Sequence, residues 1–126
     1  MPFKPNSTPL TPIHFLERAV IAYADCPSLV LHNCPTLSYT WEETHQRCLK
    51  AASSISSLGI KSGDVVSVLA PNIPAMYELH FSVPMAGAVL NNINTRLDPR
   101  TLSVLLRHGE SKLVFVDQLL YSLLHQ

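Results

Sequence analysis

The sequence predicts an α/β protein: a partial doubly wound, mostly parallel sheet with flanking helices, preceded by a short β-hairpin. Three observations lead there. From Val65 onward the chain alternates strand, helix, strand, helix, strand. Two of those strands, "VVSVLA" at 65–70 and "KLVFVD" at 112–117, are continuous apolar runs, the pattern of strands covered on both faces. Ahead of them, "SLVLH" and "TLSYT" are short strand-like runs separated by the turn-prone Asn33-Cys34-Pro35.

Each element has its own signal. Thr11-Pro12 caps a first helix, with proline where its missing N–H costs nothing. Ile13, Leu16, Val20 and then Tyr23 or Ala24 recur at helical spacing, and Pro27 lies just beyond the end. After the hairpin, Thr40-Trp41-Glu42-Glu43 is a capping box, threonine at N-cap and glutamate at N3. Thr44, Cys48, Ala51, Ile55 and Leu58 form the buried face of that helix, and Gly59 closes it in a left-handed conformation. Lys61-Ser62-Gly63-Asp64 turns into the first parallel strand. Pro71-Asn72 ends that strand and caps a helix from Ile73 to about Ala86, whose last turn is broken by Pro84. Gly87 releases the chain into "VLNNI". Asp98 caps a helix starting at Pro99 that carries Leu102, Leu105 and Leu106 and ends at Gly109. A further helix begins in "QLLYSLLHQ".

Composition bounds what this chain does. Its 126 residues suffice for one domain, 11–126, behind a polar amino-terminal arm at 1–10. Hydrophobic residues make up 47% and charged residues only 14%, so much of the chain is interior. Nine basic and nine acidic residues cancel and form no basic stripe, which sets nucleic-acid binding aside. Cys26, Cys34 and Cys48 contain no C-x-x-C pair and read as free, packed thiols in a reducing compartment. The opening "MPFKPNSTPLTP" is not a secretory signal. The most apolar stretch, 73–90, is interrupted by Pro74, Glu78, His80 and Pro84, so no membrane span is expected.

Most catalytic constellations are missing. The four glycines stand singly at element boundaries, so no glycine-rich loop cradles a phosphate. No serine sits in a nucleophile elbow, and the six histidines form no H-x-x-x-H pair, so no metal site is expected. His80, on an apolar helix beside Glu78, reads as a satisfied core or interface histidine. Tyr77, Phe81 and Met85 repeat at helical spacing and read as helix-to-sheet packing rather than as the wall of an acyl pocket. Arg96 is the most suggestive residue. It follows the carboxyl end of a strand, where anionic ligands are met in α/β proteins. With Arg100 it flanks a helix start whose dipole favours an anion. It also reads as an ordinary solvated loop charge.

Taken together, "YTWEETHQRC", "LGIKSGD" and "VVSVLAPNIPAMYELHFSVPMAGAVLNNINTRLDPRTLSVLLRHGESKLVFVD" resemble the amino-terminal region of the adenylate-forming acyl-CoA synthetases. The wording is most similar to plant acyl-activating enzymes, collinear from Thr8 to Asp117. The resemblance implies an incomplete amino-terminal domain of an adenylate-forming (AMP-binding) enzyme. The intact ligase would activate a short-chain, medium-chain or aromatic carboxylic acid with ATP and Mg2+, giving acyl-AMP and then, with coenzyme A, the acyl-CoA. It places Arg96, and more weakly Arg100, as possible contacts of coenzyme A phosphate. It assigns no catalytic residue and no metal ligand to this chain, because the phosphate loop and the mobile carboxyl-terminal domain come later in the family.

The expectation is therefore a piece cut before the phosphate loop, inactive by itself, binding neither ATP nor coenzyme A tightly. Its alternative is a non-catalytic module that pairs with or regulates a full-length homologue. Relatives of this kind imply a cytoplasmic or peroxisomal location.

Overall fold

A computed structural model describes residues 9–125; the first eight residues of the predicted polar arm lie outside the described residues. Helix α1 (Pro12–Tyr23) is followed by the hairpin β1 (Pro27–Leu31) and β2 (Cys34–Thr40), then α2 (Trp41–Ser57), β3 (Val65–Leu69), α3 (Pro74–Met85), β4 (Val89–Asn92), α4 (Pro99–His108) and β5 (Ser111–Val116). The last described element is a 3-10 helix, Gln118–His125, in the stretch where the sequence predicts a further helix.

β3 is the centre of a three-stranded parallel sheet in the order β4-β3-β5. Its alternation decides the two layers. Val66 and Val68 point to one face and join Ile55 of α2 and Leu79 and Val83 of α3 in one core. Leu69 points to the other face and joins Ile93, Leu102 of α4 and, at the margin, Leu120, Leu123 and Leu124 of the 3-10 segment. Helices thus cover both faces, which is the doubly wound arrangement the sequence predicts. β1 and β2 form a separate antiparallel pair with two register irregularities.

Local signals explain most boundaries. Thr11 Oγ1 accepts from the His14 N–H at 3.3 Å, with Pro12 opening α1. The capping box of α2 is complete: the Glu43 N–H donates to Thr40 Oγ1 (3.2 Å) and the Thr40 N–H donates to Glu43 Oε2 (2.9 Å). Asp98 caps α4 through the Thr101 N–H and hydroxyl, at 3.1 and 2.6 Å. Gly87 (φ 78°) turns α3 into β4; its carbonyl accepts from the Gly63 N–H at 2.9 Å, and a Cβ there would meet Ser62 at 3.5 Å.

Several expectations need correction. The hairpin turn falls on His32-Asn33, so Cys34 and Pro35 belong to β2. The buried face of α2 uses Ala52, whereas Ala51 is half-buried and Leu58 is 64% exposed, because the stripe follows 3.6 residues per turn past the last covered turn. α3 starts at Pro74 with Ile73 at the N-cap and no side-chain cap. α4 ends at its C-cap Gly109 as expected, and the residue after it, Glu110, is left-handed (φ 53°). Only Cys48 is packed; Cys26 and Cys34 are exposed.

Candidate functional site

The carboxyl ends of β3, β4 and β5 lie together because all three strands run parallel, and the loop after β4 leaves from this edge. Ile93 anchors that loop: its side chain is buried and its N–H donates to Val68 O at 3.0 Å. Asn94 then folds the chain locally, its Oδ1 accepting from the Arg96 N–H at 2.9 Å. The side chain of Arg96 is exposed. Arg100, also exposed, stands in the first turn of α4. Among the described residues neither arginine enters an ion pair.

One part of the predicted anion site is already taken. The Asp98 carboxylate occupies the amino end of α4, and its pKa lies below the ordinary value, held down first by the Thr101 hydroxyl and then by the Thr101 N–H. The amino end of α4 is therefore already capped by a carboxylate of this chain. The four glycines stand singly in turns.

Neither Tyr77 nor His80 is core. The sheet-facing side of α3 carries Leu79 and Val83, with Met76 and Ala86 at the margin, which corrects the assignment of Tyr77 and Phe81 to sheet packing. Tyr77 and Phe81 instead meet edge-to-face, centroids 5.3 Å apart, on a cavity of about 420 Å³ shared with Pro12, Asn72 and Ile73. His80 is exposed and bonded at both nitrogens, Nδ1 to the Met76 carbonyl (2.8 Å) and Nε2 to the Asn92 side-chain amide (2.9 Å). The carbonyl can only accept, so Nδ1 carries the proton and Nε2 accepts from Asn92.

Two polar groupings escape a reading of sequence alone. Glu78 is buried and paired by Arg47, whose Nε and Nη2 donate to its two carboxylate oxygens, the second at 3.3 Å. Arg47 also lies over the Tyr39 ring at 4.3 Å, tying β2, α2 and α3 together, and the Glu78 carboxylate raises its pKa above the ordinary value. A lone acid in an apolar helix was the available signal, since a buried charge needs a partner. Across the sheet, Asn91 Nδ2 donates to Ser67 Oγ at 3.0 Å, leaving the Ser67 hydroxyl proton for Ser111 Oγ. This polar ladder binds β4, β3 and β5 on the α4 face.

Among the described residues no helix is long and apolar enough to cross a membrane, and no three His, Cys, Asp or Glu residues gather as a metal-binding group.

Comparison with known proteins places this geometry in context. Residues 16–125 match the family model of the AMP-binding enzymes. The chain is 65% identical over 114 residues to the 2-methylpropanoate–CoA ligase CCL4 of Humulus lupulus, covering 90% of this chain and 20% of that one. It is 66% identical over 116 residues to the probable peroxisomal acyl-activating enzyme 5 of Arabidopsis thaliana, covering 92% and 21%. In fold it is similar to the anthranilate CoA ligase AuaEII, with a TM-score of 0.83 at 22% identity, over 90% of this chain and 21% of that one. A Mycobacterium tuberculosis fatty acyl CoA synthetase gives 0.85 at 24% identity, over 90% and 22%. The chain thus spans about a fifth of the length of the curated relatives it matches. It belongs to the AMP-binding enzyme family, and within it is similar to plant acyl-activating enzymes and CoA ligases.

Proposed function

We propose that this chain is the amino-terminal segment of an acid–thiol ligase. The intact protein would convert a short-chain, medium-chain or aromatic carboxylic acid to its coenzyme A thioester through an acyl-adenylate, using ATP and Mg2+. Residues 1–126 carry no chemical step on this reading and are inactive alone. One observation carries it: identity of 65% over 114 residues with a plant CoA ligase, at a stretch where glycine-loop chemistry is missing. The compartment is cytoplasmic or peroxisomal, the second supported by the name of one relative.

Within that enzyme the segment's role is binding and support. Arg96 is held by a rigid Asx turn on a buried anchor, Ile93, and presents its guanidinium to a phosphate of coenzyme A; Arg100 adds a second charge. When bound, coenzyme A supplies the thiol that accepts the acyl group.

The test is a chimera in which residues 9–125 replace the matched segment of the hop 2-methylpropanoate–CoA ligase. Formation of the CoA thioester is the expected result, and a soluble but inactive chimera overturns the ligase reading. In the same chimera, Arg96→Ala raises the KM for coenzyme A about tenfold, the low end of a charge-assisted hydrogen bond at an exposed site. Pyrophosphate release from the adenylation step stays unchanged. Unaltered coenzyme A kinetics remove Arg96 from the site.

The open outer strand β5 favours a second reading, in which the 126-residue chain pairs with a full-length homologue. Adding it to purified ligase would then change the ligase's activity or sedimentation.

A further inference from the structure

The loop that carries Arg96 leaves the sheet from an outer strand. Among the described residues β4 pairs with β3 alone, so backbone bonds hold it along one edge only. Its last residue is Asn92, and the loop follows at once.

Side chains alternate along β4. Leu90 packs on the core beneath α2 and α3, and Asn91 bonds to Ser67 on the α4 face. Asn92 returns to the α3 face. Ile93 turns back to the α4 face, where it is buried with Leu69 and Leu102. The base of the loop is therefore two successive residues that point opposite ways. Burial fixes Ile93, but Asn92 is exposed and packing does not hold it.

His80 supplies the hold that packing lacks. Its Nε2 accepts from the Asn92 amide at 2.9 Å, across twelve residues of chain, while its Nδ1–H donates to the Met76 carbonyl at 2.8 Å. The Met76 bond fixes both the direction of the ring and its tautomer, so the free acceptor faces the asparagine N–H groups. The helix beneath is itself anchored. Leu79 and Val83 are buried against the sheet, and Glu78 is paired by Arg47. His80 thus passes the fixed position of α3 to a strand end that has no other side-chain anchor on that face. From there Asn94 Oδ1 accepts from the Arg96 N–H at 2.9 Å and sets the course of the next turn.

We infer that His80 is a positioning residue, which through Asn92 holds the carboxyl end of β4 and so places the Arg96 loop for the phosphate of coenzyme A. The inference rests on the reading of Arg96 as a coenzyme A contact. Its structural half, a histidine that holds the loop, is separable from that reading.

Kinetics of the chimera test the first half. His80→Leu keeps the bulk and removes the acceptor. It raises the KM for coenzyme A about fivefold, the factor one neutral hydrogen bond sustains, and leaves the KM for ATP unchanged. Asn92→Ala does the same, and the two together are no worse than either alone, because a single bond is lost in every case. In His80→Gln the side-chain oxygen takes the place of Nε2, and the KM returns to within about twofold of wild type. In an Arg96→Ala background His80→Leu adds nothing. Hydrogen–deuterium exchange tests the second half without ligand: in His80→Leu the segment 92–97 exchanges about tenfold faster, while β3 is unchanged. A bond that served stability alone would leave the coenzyme A kinetics where they were. An unchanged KM in His80→Leu, where Arg96→Ala raises it, overturns the inference and leaves the coenzyme A reading intact. Losses that add to those of Arg96→Ala overturn it too, as does a glutamine variant as impaired as the leucine one. If Arg96→Ala itself changes nothing, the coenzyme A reading has failed; unaltered exchange of 92–97 then overturns the hold on the loop as well.

Discussion

At the scale of single residues, the three cysteines divide by environment. Burial, and then the nearby Glu78 charge, pushes the Cys48 thiol up to about 11, while its S–H donates to the Glu78 carbonyl at 3.6 Å. Cys34 is exposed and its pKa is lowered, first by the Thr36 hydroxyl and then by the Leu37 backbone. A thiol reagent at neutral pH therefore labels Cys26 and Cys34 in the folded chain and reaches Cys48 only after denaturant is added. The linkage has a definite sign. The folded pKa of Cys48 is raised above its ordinary 9.0, so its contribution to stability is complete below pH 9 and is lost as pH rises through about 11. The melting temperature falls across that window, and Cys48→Ala flattens the fall. The Arg47–Glu78 pair makes a different demand. Removing Arg47 leaves a carboxylate in a buried site, at a cost of several kcal/mol where both partners are buried. The Arg47 side chain is 44% exposed, so water replaces part of the lost partner, and we expect Arg47→Ala to cost about 2 kcal/mol. Chemical denaturation measures it, and Arg47→Ala with Glu78→Leu in the same chain recovers part of the loss.

Among the elements, helix ends were the most legible feature and strand edges the least. Local sequence marks Thr11, Thr40 and Asp98 as caps, and each side chain accepts the expected N–H. Capping is a contact between residues three apart, so a sequence holds all its terms. The same locality makes Thr40→Ala a clean test: losing half of the capping box costs about 1 kcal/mol, read from the denaturation midpoint of α2 and its neighbours. For Asp98 the signature is in pH. Its folded pKa is depressed, so the stabilisation is present above the ordinary carboxylate range and disappears as pH falls through the folded value. Asp98→Asn keeps the cap without the charge, so its melting temperature should lie below that of the wild type at pH 7 and converge on it below pH 4. What depended on tertiary neighbours was less legible. Tyr77 and Phe81 share one helical stripe with Met85, and only the placement of α1 beside α3 shows that the two rings line a cavity instead of the sheet. Arg96 lies on the loop where the sequence puts it, and Asp98 fills the helix terminus beside it as its residue type indicates. Ser67 and Ser111 lie far apart in the chain, and their bond across the sheet follows from strand order, which no local pattern encodes.

For the whole molecule, the deciding feature is the contrast between its centre and its margins. β3 is buried on both faces, and two small cores hold three helices and the 3-10 segment against the sheet. Around them stand exposed apolar side chains on several elements: Phe15 at 54%, Val89 at 52%, Val104 at 59% and Leu119 at 88%. Single exposed hydrophobes are ordinary, but here they accompany an apolar outer strand with open backbone groups. Burying so little of its apolar surface leaves the 126-residue chain close to the margin at which a single core balances chain entropy. Purified alone, it should therefore associate or unfold without cooperativity, seen as concentration-dependent elution and a broad thermal transition, so the melting temperatures and denaturation midpoints of the cysteine, arginine and cap variants are read in the chimera. The outer strand sets which of these dominates. If open amides on β5 drive association, Val114→Pro lowers the apparent mass of the isolated chain. A monodisperse wild-type chain with a sharp melt would mean that these two cores suffice, and that the open edge is tolerated.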